Sequence, residues 1–435
     1  MARAKKETAL TPEERLQAAL VPDWEWPYKL PENWCWVYAP HIFDIEYGKG
    51  LPTKQLSDTG YPVFGANGQI GFYSEYMYKE PQALMSCRGA YSGTMNKSLP
   101  YSYVTSNSLI ISSPRGLMGT DCIYYLFSAL NVSELISGTA QPQVTVQAFD
   151  GFPIPLSPLA EQQRIVDRIE SLFAKLDEAK EKAQAVVDSF ETRKAAILHK
   201  AFTGELTAKW REEHGVGMDS WEKKSVGELC ISLKYGTAKK SDASGNVVVL
   251  RMGNLQQGEI DWSDLAYSND PDDIEKYKLF PGDVLFNRTN SAALVGKTAI
   301  YRGEHPAIYA GYLIKLDYDH DKIIGDYLNY ALNTLDAKKY CNSVKTDGVN
   351  QSNINAKKIG AYSFNVPSIP EQEKIVSVIQ KLLSKEQQSK EAAEAVLDQI
   401  DLMKKSILAR AFRGELDTND PSEESAVELL KRTIL

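Results

Sequence analysis

Two stretches of the chain set apolar side chains at alternating spacings of four and three. In the first, Ile165, Ile169, Leu172, Leu176, Ala179, Ala183, Val186 and Phe190 form a heptad seam. In the second, Ile375, Ile379, Leu382, Ala393, Val396, Ile400 and Ile407 repeat it, with Glu386 and Ser389 standing at seam positions. The pattern predicts long helices over 158–212 and 367–417. A helix of about 40 residues is roughly 60 Å long. Alone, such a helix would leave its seam wet, so the two are expected to pack as an antiparallel coiled coil. Each well-buried large seam residue then contributes on the order of 1.5–3 kcal/mol. The stretches FPIPLSPLAEQ and VPSIPEQ precede the helices. Proline disfavours helix just before it but suits a first turn, so each helix should start at its Glu-Gln pair, Glu161-Gln162 and Glu371-Gln372.

Elsewhere the pattern shortens. Runs such as YPVFGANGQIGFYS, ALMSCRGAYSGTM, NVVVLRMGNL and GDVLFNRTN are β-branched and aromatic, cut by Gly, Asn and Ser. They read as short strands joined by tight turns. CIYYLFSAL and DYLNYALNTLDAKKY read as helical patches. The fold class is therefore mixed α/β: two globular domains with irregular β-sheets, separated by two long antiparallel coiled-coil helices, with pseudo-two-fold symmetry. The expected divisions are an N-terminal arm (1–29), a first globular domain (30–157), a first long helix (158–212), a second globular domain (213–366), a second long helix (367–417) and an acidic tail (418–435). Residues 161–206 and 371–416 are copies of one segment at a constant offset of 210, from EQQRIV and EQEKIV to AFTGEL and AFRGEL. Gly138 and Gln141 match Gly348 and Gln351 at the same offset. A period this long indicates a duplicated domain-plus-helix unit, not a solenoid, and a duplicated reader suits a target with two halves.

Charge and composition narrow the chemistry. The formal net charge of −8 argues against a chain that grips nucleic acid over its whole surface, unless basic groups are confined to clefts or partners supply them. The five cysteines are scattered, odd in number and form no CxxC pair, which suits a reduced cytoplasm and neither zinc nor a disulfide framework. No apolar run reaches the ~18 residues that span a bilayer. His41, His199, His214, His305 and His320 lack metal-ligand spacing. There is no Gly-Lys-Ser/Thr phosphate loop, no Asn-Pro-Pro-aromatic or Asp-Pro-Pro-Tyr motif, and Asp272, Asp273 and Glu275 read as an acidic surface turn. The chain is expected to bind without catalysing.

The order of globular domain, repeated helix, globular domain, repeated helix resembles the specificity subunit of type I restriction–modification systems. The repeat ends PLAEQQRIV, AFTGEL, IPEQEKIV and AFRGEL, and the run TPEERLQAALVPDWEWPYKLPENW, carry the resemblance over almost the whole chain. GTAQPQVT, PGDVLFNR and VGKTAIY add to it. It implies that each globular domain is a target recognition domain reading one half of a bipartite, asymmetric double-stranded DNA site. It implies that the helices set the spacing and dock two methyltransferase subunits, with restriction subunits as possible further partners. Adenine methylation would then use S-adenosylmethionine on the partner, ATP would be consumed by restriction subunits, and this chain would bind no cofactor itself. The alternative is a coiled-coil protein-interaction scaffold that makes no DNA contact.

Base readout needs donors and acceptors at loop tips, and phosphate grip needs Lys, Arg and backbone N–H groups. In the first domain the candidates are Lys49, Lys54, Asn67, Gln69, Arg88, Tyr91, Ser92, Asn96 and Lys97, with Thr105 and Asn107 in addition. In the second they are Lys234, Lys239, Lys240, Arg251, Asn254, Arg288, Asn290 and Lys297. Arg88 and Arg288 each follow a short apolar run, so they are expected at comparable places. Phe202 and Phe412, beside Gly204 and Gly414 at the repeat ends, are candidates for partner docking or for the stem core.

Overall fold

The computed structural model describes residues 11–114, 116–349 and 351–434. The chain divides into two compact units, Met1–Ala183 with Ala395–Leu435, and Gln184–Glu394. Each unit thus takes the start of one repeat and the end of the other.

The first unit is built on a four-stranded antiparallel sheet in the order Asp44–Tyr47, Ser108–Ser112, Ala83–Ser86, Met95–Lys97. A three-stranded sheet lies on the same unit, in the order Gly68–Tyr73, Tyr61–Gly65, Tyr103–Val104, its last pair parallel. Cys35–Tyr38 pairs with Pro153–Leu156 and brings the polypeptide back to the long helix. The second unit repeats this frame. Its four-stranded sheet runs Cys230–Tyr235, Leu313–Tyr318, Val284–Asn287, Thr298–Ile300, and its three-stranded sheet runs Tyr267–Ser268, Val247–Leu250, Ala307–Tyr309. Glu222–Ser225 pairs with Ser363–Val366 before the second long helix.

Burial explains the run-like strands. Leu84, Met85, Leu109, Ile110 and Ile111 are all 2% exposed or less, because this sheet is covered on both faces. The acidic tail is part of the first unit: Ala426 and Leu430 of the helix Ala426–Ile434 lie in its core, and Glu423 takes a two-pronged ion pair from Arg164.

The second long helix is continuous over Ile369–Ala411, whereas the first is interrupted, as Leu159–Asp188 and Phe190–Phe202 with Ser189 between them. Arg193 reaches back from the following turn to the Ser189 hydroxyl and the Val186 carbonyl. Both helices start two residues before the Glu-Gln pair, at Leu159 and Ile369; in the second, Pro370 fits inside the first turn. Gly204 and Gly414 end their helices in left-handed backbone, with φ of 83° and 73°.

Within each unit the pieces of the two helices run antiparallel. In the first unit Asp177 pairs with Lys404 and Lys180 with Asp401. In the second, Lys390 lies over the Phe190 ring and Glu386 pairs with Arg193. The seam is buried at Ile165, Ile169, Ile375, Ile379 and Ile400. Val396 departs from the expectation: it is 40% exposed, and the neighbouring Leu397 is the more covered.

Each helix start is tied to its unit through a fully buried glutamate. Trp34 Nε1 donates to Glu161 at 2.7 Å, joined by Asn419 at 2.9 Å and Thr418 at 3.2 Å. Trp221 Nε1 donates to Glu371 at 3.0 Å, joined by Thr207 at 2.7 Å and Arg211 at 2.6 Å. The adjacent glutamines bind carbonyls alike, Gln162 those of Leu117 and Ser157, Gln372 those of Lys322 and Pro367. These contacts account for the Glu-Gln pair that opens both repeats.

Candidate nucleic-acid interface

At one end of each four-stranded sheet the polypeptide leaves its strands in turns that pack together. In the first unit Ser86 N donates to Thr94 O at 2.8 Å, and Gly93 N returns to Ser86 O at 2.8 Å. Cys87 N donates to Asn107 O, and Val144 N to Cys87 O. In the second unit the same four bonds join Asn287 to Lys297, Gly296 to Asn287, Arg288 to Tyr312, and Ile354 to Arg288. The frame is thus shared bond for bond. It corrects one expectation: Arg288 stands where Cys87 stands, and Arg88 is one residue further on, level with Thr289. Arg88 bridges to Gln143 and Thr289 pairs with Asn353, which places these positions beside a hairpin in each unit, Ile136–Ser137 with Gln143–Val144 and Thr346–Asp347 with Ser352–Asn353.

The shared frame extends to Tyr47-Gly48 and Tyr235-Gly236. A Cβ on Gly48 would sit 2.4 Å from the Thr105 carbonyl oxygen, and one on Gly236 would sit 2.1 Å from that of Tyr309, so only glycine lets the strands approach. Both tyrosines are 42% exposed. They were not among the sequence candidates, although the repeated Tyr-Gly step after an alternating run is legible in YGKG and YGTA.

In the first unit these turns bring several candidates together. The Tyr61–Gly65/Gly68–Tyr73 hairpin carries exposed Asn67 and Gln69. Its Ala66 carbonyl accepts from the Ser86 hydroxyl, which also takes a hydrogen bond from Asn96 Nδ2 at 3.4 Å. Ser92 donates to Pro142 O at 2.8 Å, and Tyr91 is 51% exposed. Lys49 bridges to Thr105, while Lys54 lies on the separate turn Thr53–Gln55.

Other candidates are already committed elsewhere. Lys97 is paired with Asp121 at 2.8 Å, Lys234 with Asp317 at 2.8 Å, and Arg251 with Asp264 at 2.9 Å. Lys239 meets Asp270 at 2.6 Å and Asp273 at 3.4 Å. Their hydrogen bond raises the Lys239 pKa and lowers that of Asp270. Lys234 likewise lowers the Asp317 carboxyl. These cations present little net charge to a phosphate. Asn254 is 3% exposed, and its amide is spent on Arg251 N and the Asp261 and Asp264 carbonyls, so it clamps a loop and is closed to a base edge. Lys297 binds Gln256 Oε1 at 2.7 Å. Asn290 is half-buried and accepts from Ser291 N. Exposed Lys49, Lys54, Arg88 and Lys240 have no ion pair among the described residues.

The paired phenylalanines differ. Phe412 is 2% exposed in the core of the first unit, where its carbonyl accepts from the Tyr28 hydroxyl at 3.0 Å, and it packs at the wall of a smaller cleft of about 370 Å³ shared with Tyr28, Trp36 and Arg413. Phe202 is half-buried 4.9 Å from Tyr327, at the edge of a cleft of about 830 Å³ lined also by Ala195, His199 and Tyr362. Among the described residues no group of three or more His, Cys, Asp or Glu could hold a metal, and no helix is long and apolar enough to cross a membrane.

The model of the type I restriction modification DNA specificity domain matches twice, over residues 31–187 and 218–396. The StySPI type I restriction enzyme specificity subunit of Salmonella potsdam is 24% identical over 419 residues, covering 89% of this chain and 90% of the relative. The EcoKI specificity subunit of Escherichia coli K12 is 26% identical over 426 residues, with the same two coverages. A chain from a solved structure on complex assembly and conformational transition of the type I R-M system superposes with a TM-score of 0.66 at 19% identity, over 89% of this chain and 100% of that one. The HsdS subunit from Thermoanaerobacter tengcongensis does so at 0.58 and 20%, over 89% and 99%. These two likenesses bear on the fold.

Proposed function

Since the chain belongs to the type I restriction modification DNA specificity family, we propose that it directs partner subunits to a bipartite, asymmetric DNA site that it reads itself. It recognises a DNA sequence, one half with each unit. The supporting observation is the bond-for-bond shared frame that carries different side chains at the same places: Cys87 against Arg288, Lys49 against Thr237, Asn107 against Tyr312. A common frame presents each reader to a duplex alike, and unlike tips give unlike half-sites.

The reaction is left to partners. Adenine methyltransferase subunits supply S-adenosylmethionine chemistry, and restriction subunits, where present, supply ATP-dependent cleavage. This chain contributes position and needs no bound cofactor. The net charge of −8 is offset only locally, at exposed Lys49, Lys54, Arg88 and Lys240, which have no ion pair among the described residues, whereas Lys97, Lys234, Lys239 and Arg251 face carboxylates. Affinity then rests on the few unpaired cations at the tips together with charge from the partners.

The test is binding of the assembled chain and methyltransferase to labelled duplexes at two salt concentrations. Sequence-selective binding whose logarithm falls linearly with log salt is expected. Equal binding to all duplexes, or to none, returns the chain to the scaffold reading.

A further inference from the structure

Arg288 leaves the strand Val284–Asn287 with its guanidinium carbon 4.7 Å from the centroid of the Tyr235 ring. The ring is held in turn, because the Tyr235 hydroxyl accepts from Ala356 N at 3.0 Å. Arg288 Nη1 makes one long hydrogen bond, 3.3 Å, to the Gly311 carbonyl. Nε is buried without an acceptor, and Nη2 carries no hydrogen bond among the described residues.

The other arginines of this unit are closed. Arg193 pairs with Glu386, Arg211 with Glu371, Arg251 with Asp264, and Arg302 with Glu259 and Asp326. Arg211 shows what an arginine that only holds structure does here: it is buried, and its two terminal nitrogens reach Glu371, Thr207 and Gly204 O. Arg288 has no carboxylate within ion-pair distance among the described residues. Its guanidinium rests on the Tyr235 ring, and Nη2, with the second N–H of Nη1, has no hydrogen-bond partner among the described residues. A flat cation fixed in this way can donate two parallel hydrogen bonds to O6 and N7 of guanine, which a lysine cannot reproduce.

In the first unit the same backbone position is Cys87. Its thiol lies buried against the Ser106 carbonyl at 3.5 Å and offers no fork. Resting on the DNA-reading function above, we propose that Arg288 reads a guanine in the half-site contacted by the second unit, and that Cys87 denies the first unit that contact.

The experiment measures competition binding of the full chain assembled with its methyltransferase. The competitors are duplexes in which each position of the recognised site is replaced in turn. For the native chain, replacing one G·C pair in one half-site should weaken binding roughly 5- to 150-fold. Arg288→Gln should level that one position and leave every other preference standing. Arg288→Lys, which keeps the charge, should lose most of the same discrimination while keeping the salt slope. Thermal unfolding of both variants at the native temperature shows that the tip still folds. Uniform weakening over all duplexes, with a salt slope lowered by about one, makes Arg288 a phosphate contact and overturns the proposal. An unchanged preference profile, or a variant that only unfolds while Arg288→Lys reads normally, overturns it as well. A native chain with no base preference at all refutes the DNA-reading function beneath it, and that outcome is seen before any variant is made.

Discussion

Arg211 and Glu371 meet at 2.6 Å inside the second unit, their side chains 8% and 0% exposed. The glutamate opens one repeat and the arginine follows the other, so this contact ties the start of the second long helix to the end of the first. Arg211→Met strands a buried carboxylate and should cost about 3–5 kcal/mol. The double replacement Arg211→Met with Glu371→Leu should recover much of that loss, since a buried pair replaced whole is often near neutral. Urea unfolding of both variants checks it. Additive losses would show that the pair does not act as one buried unit.

Phe202 and Phe412 hold matching places in the two repeats but unequal burial. Phe412→Ala removes a ring that is 2% exposed and should cost about 3–5 kcal/mol. Phe202→Ala, at the edge of an open cleft, should cost clearly less. Equal losses in chemical denaturation would contradict the packing described for the two sites.

Lysines already paired with carboxylates should contribute little to phosphate affinity. Lys49→Ala and Lys240→Ala should each lower the salt slope of duplex binding by about one. Lys97→Ala, Lys234→Ala and Lys239→Ala should barely move it. A salt titration of all five variants distinguishes these outcomes, and a uniform drop would contradict the assignment.

The cysteines give a chemical check on the cores. Burial pushes the Cys35, Cys122 and Cys230 thiols up to about 12 and Cys341 to about 11, and it raises Cys87 as well. The thiolate, which is the reactive form, is therefore scarce at pH 8 in the native chain. Iodoacetamide at pH 8 should modify the native chain slowly and all five cysteines rapidly in denaturant. Rapid native labelling at Cys35 or Cys122 would contradict the packing.

The long helices were legible because a heptad stripe survives local exceptions. Glu386 stands at a seam position because Arg193 meets it from the other helix, a pairing that depends on three-dimensional register. The break at Ser189 was not legible, since it turns on where Arg193 reaches. Arg88 and Arg288 were misaligned by one residue. ALMSC reads as one apolar run, but the strand stops at Ser86 and Cys87 already belongs to the turn. Asn254 looked like a reader because its type suits adenine, and only its three backbone partners show it to be a clamp. Residue type narrows the candidates, whereas burial and existing partners decide which of them remain available.

The central claim, two unlike readers on one chain, is tested most directly by sequencing the methylome of a host that carries this chain with its methyltransferase. The account predicts one motif with two short, different half-sites separated by bases of no preference. A single uninterrupted motif, two identical half-sites, or methylation independent of this chain would contradict it.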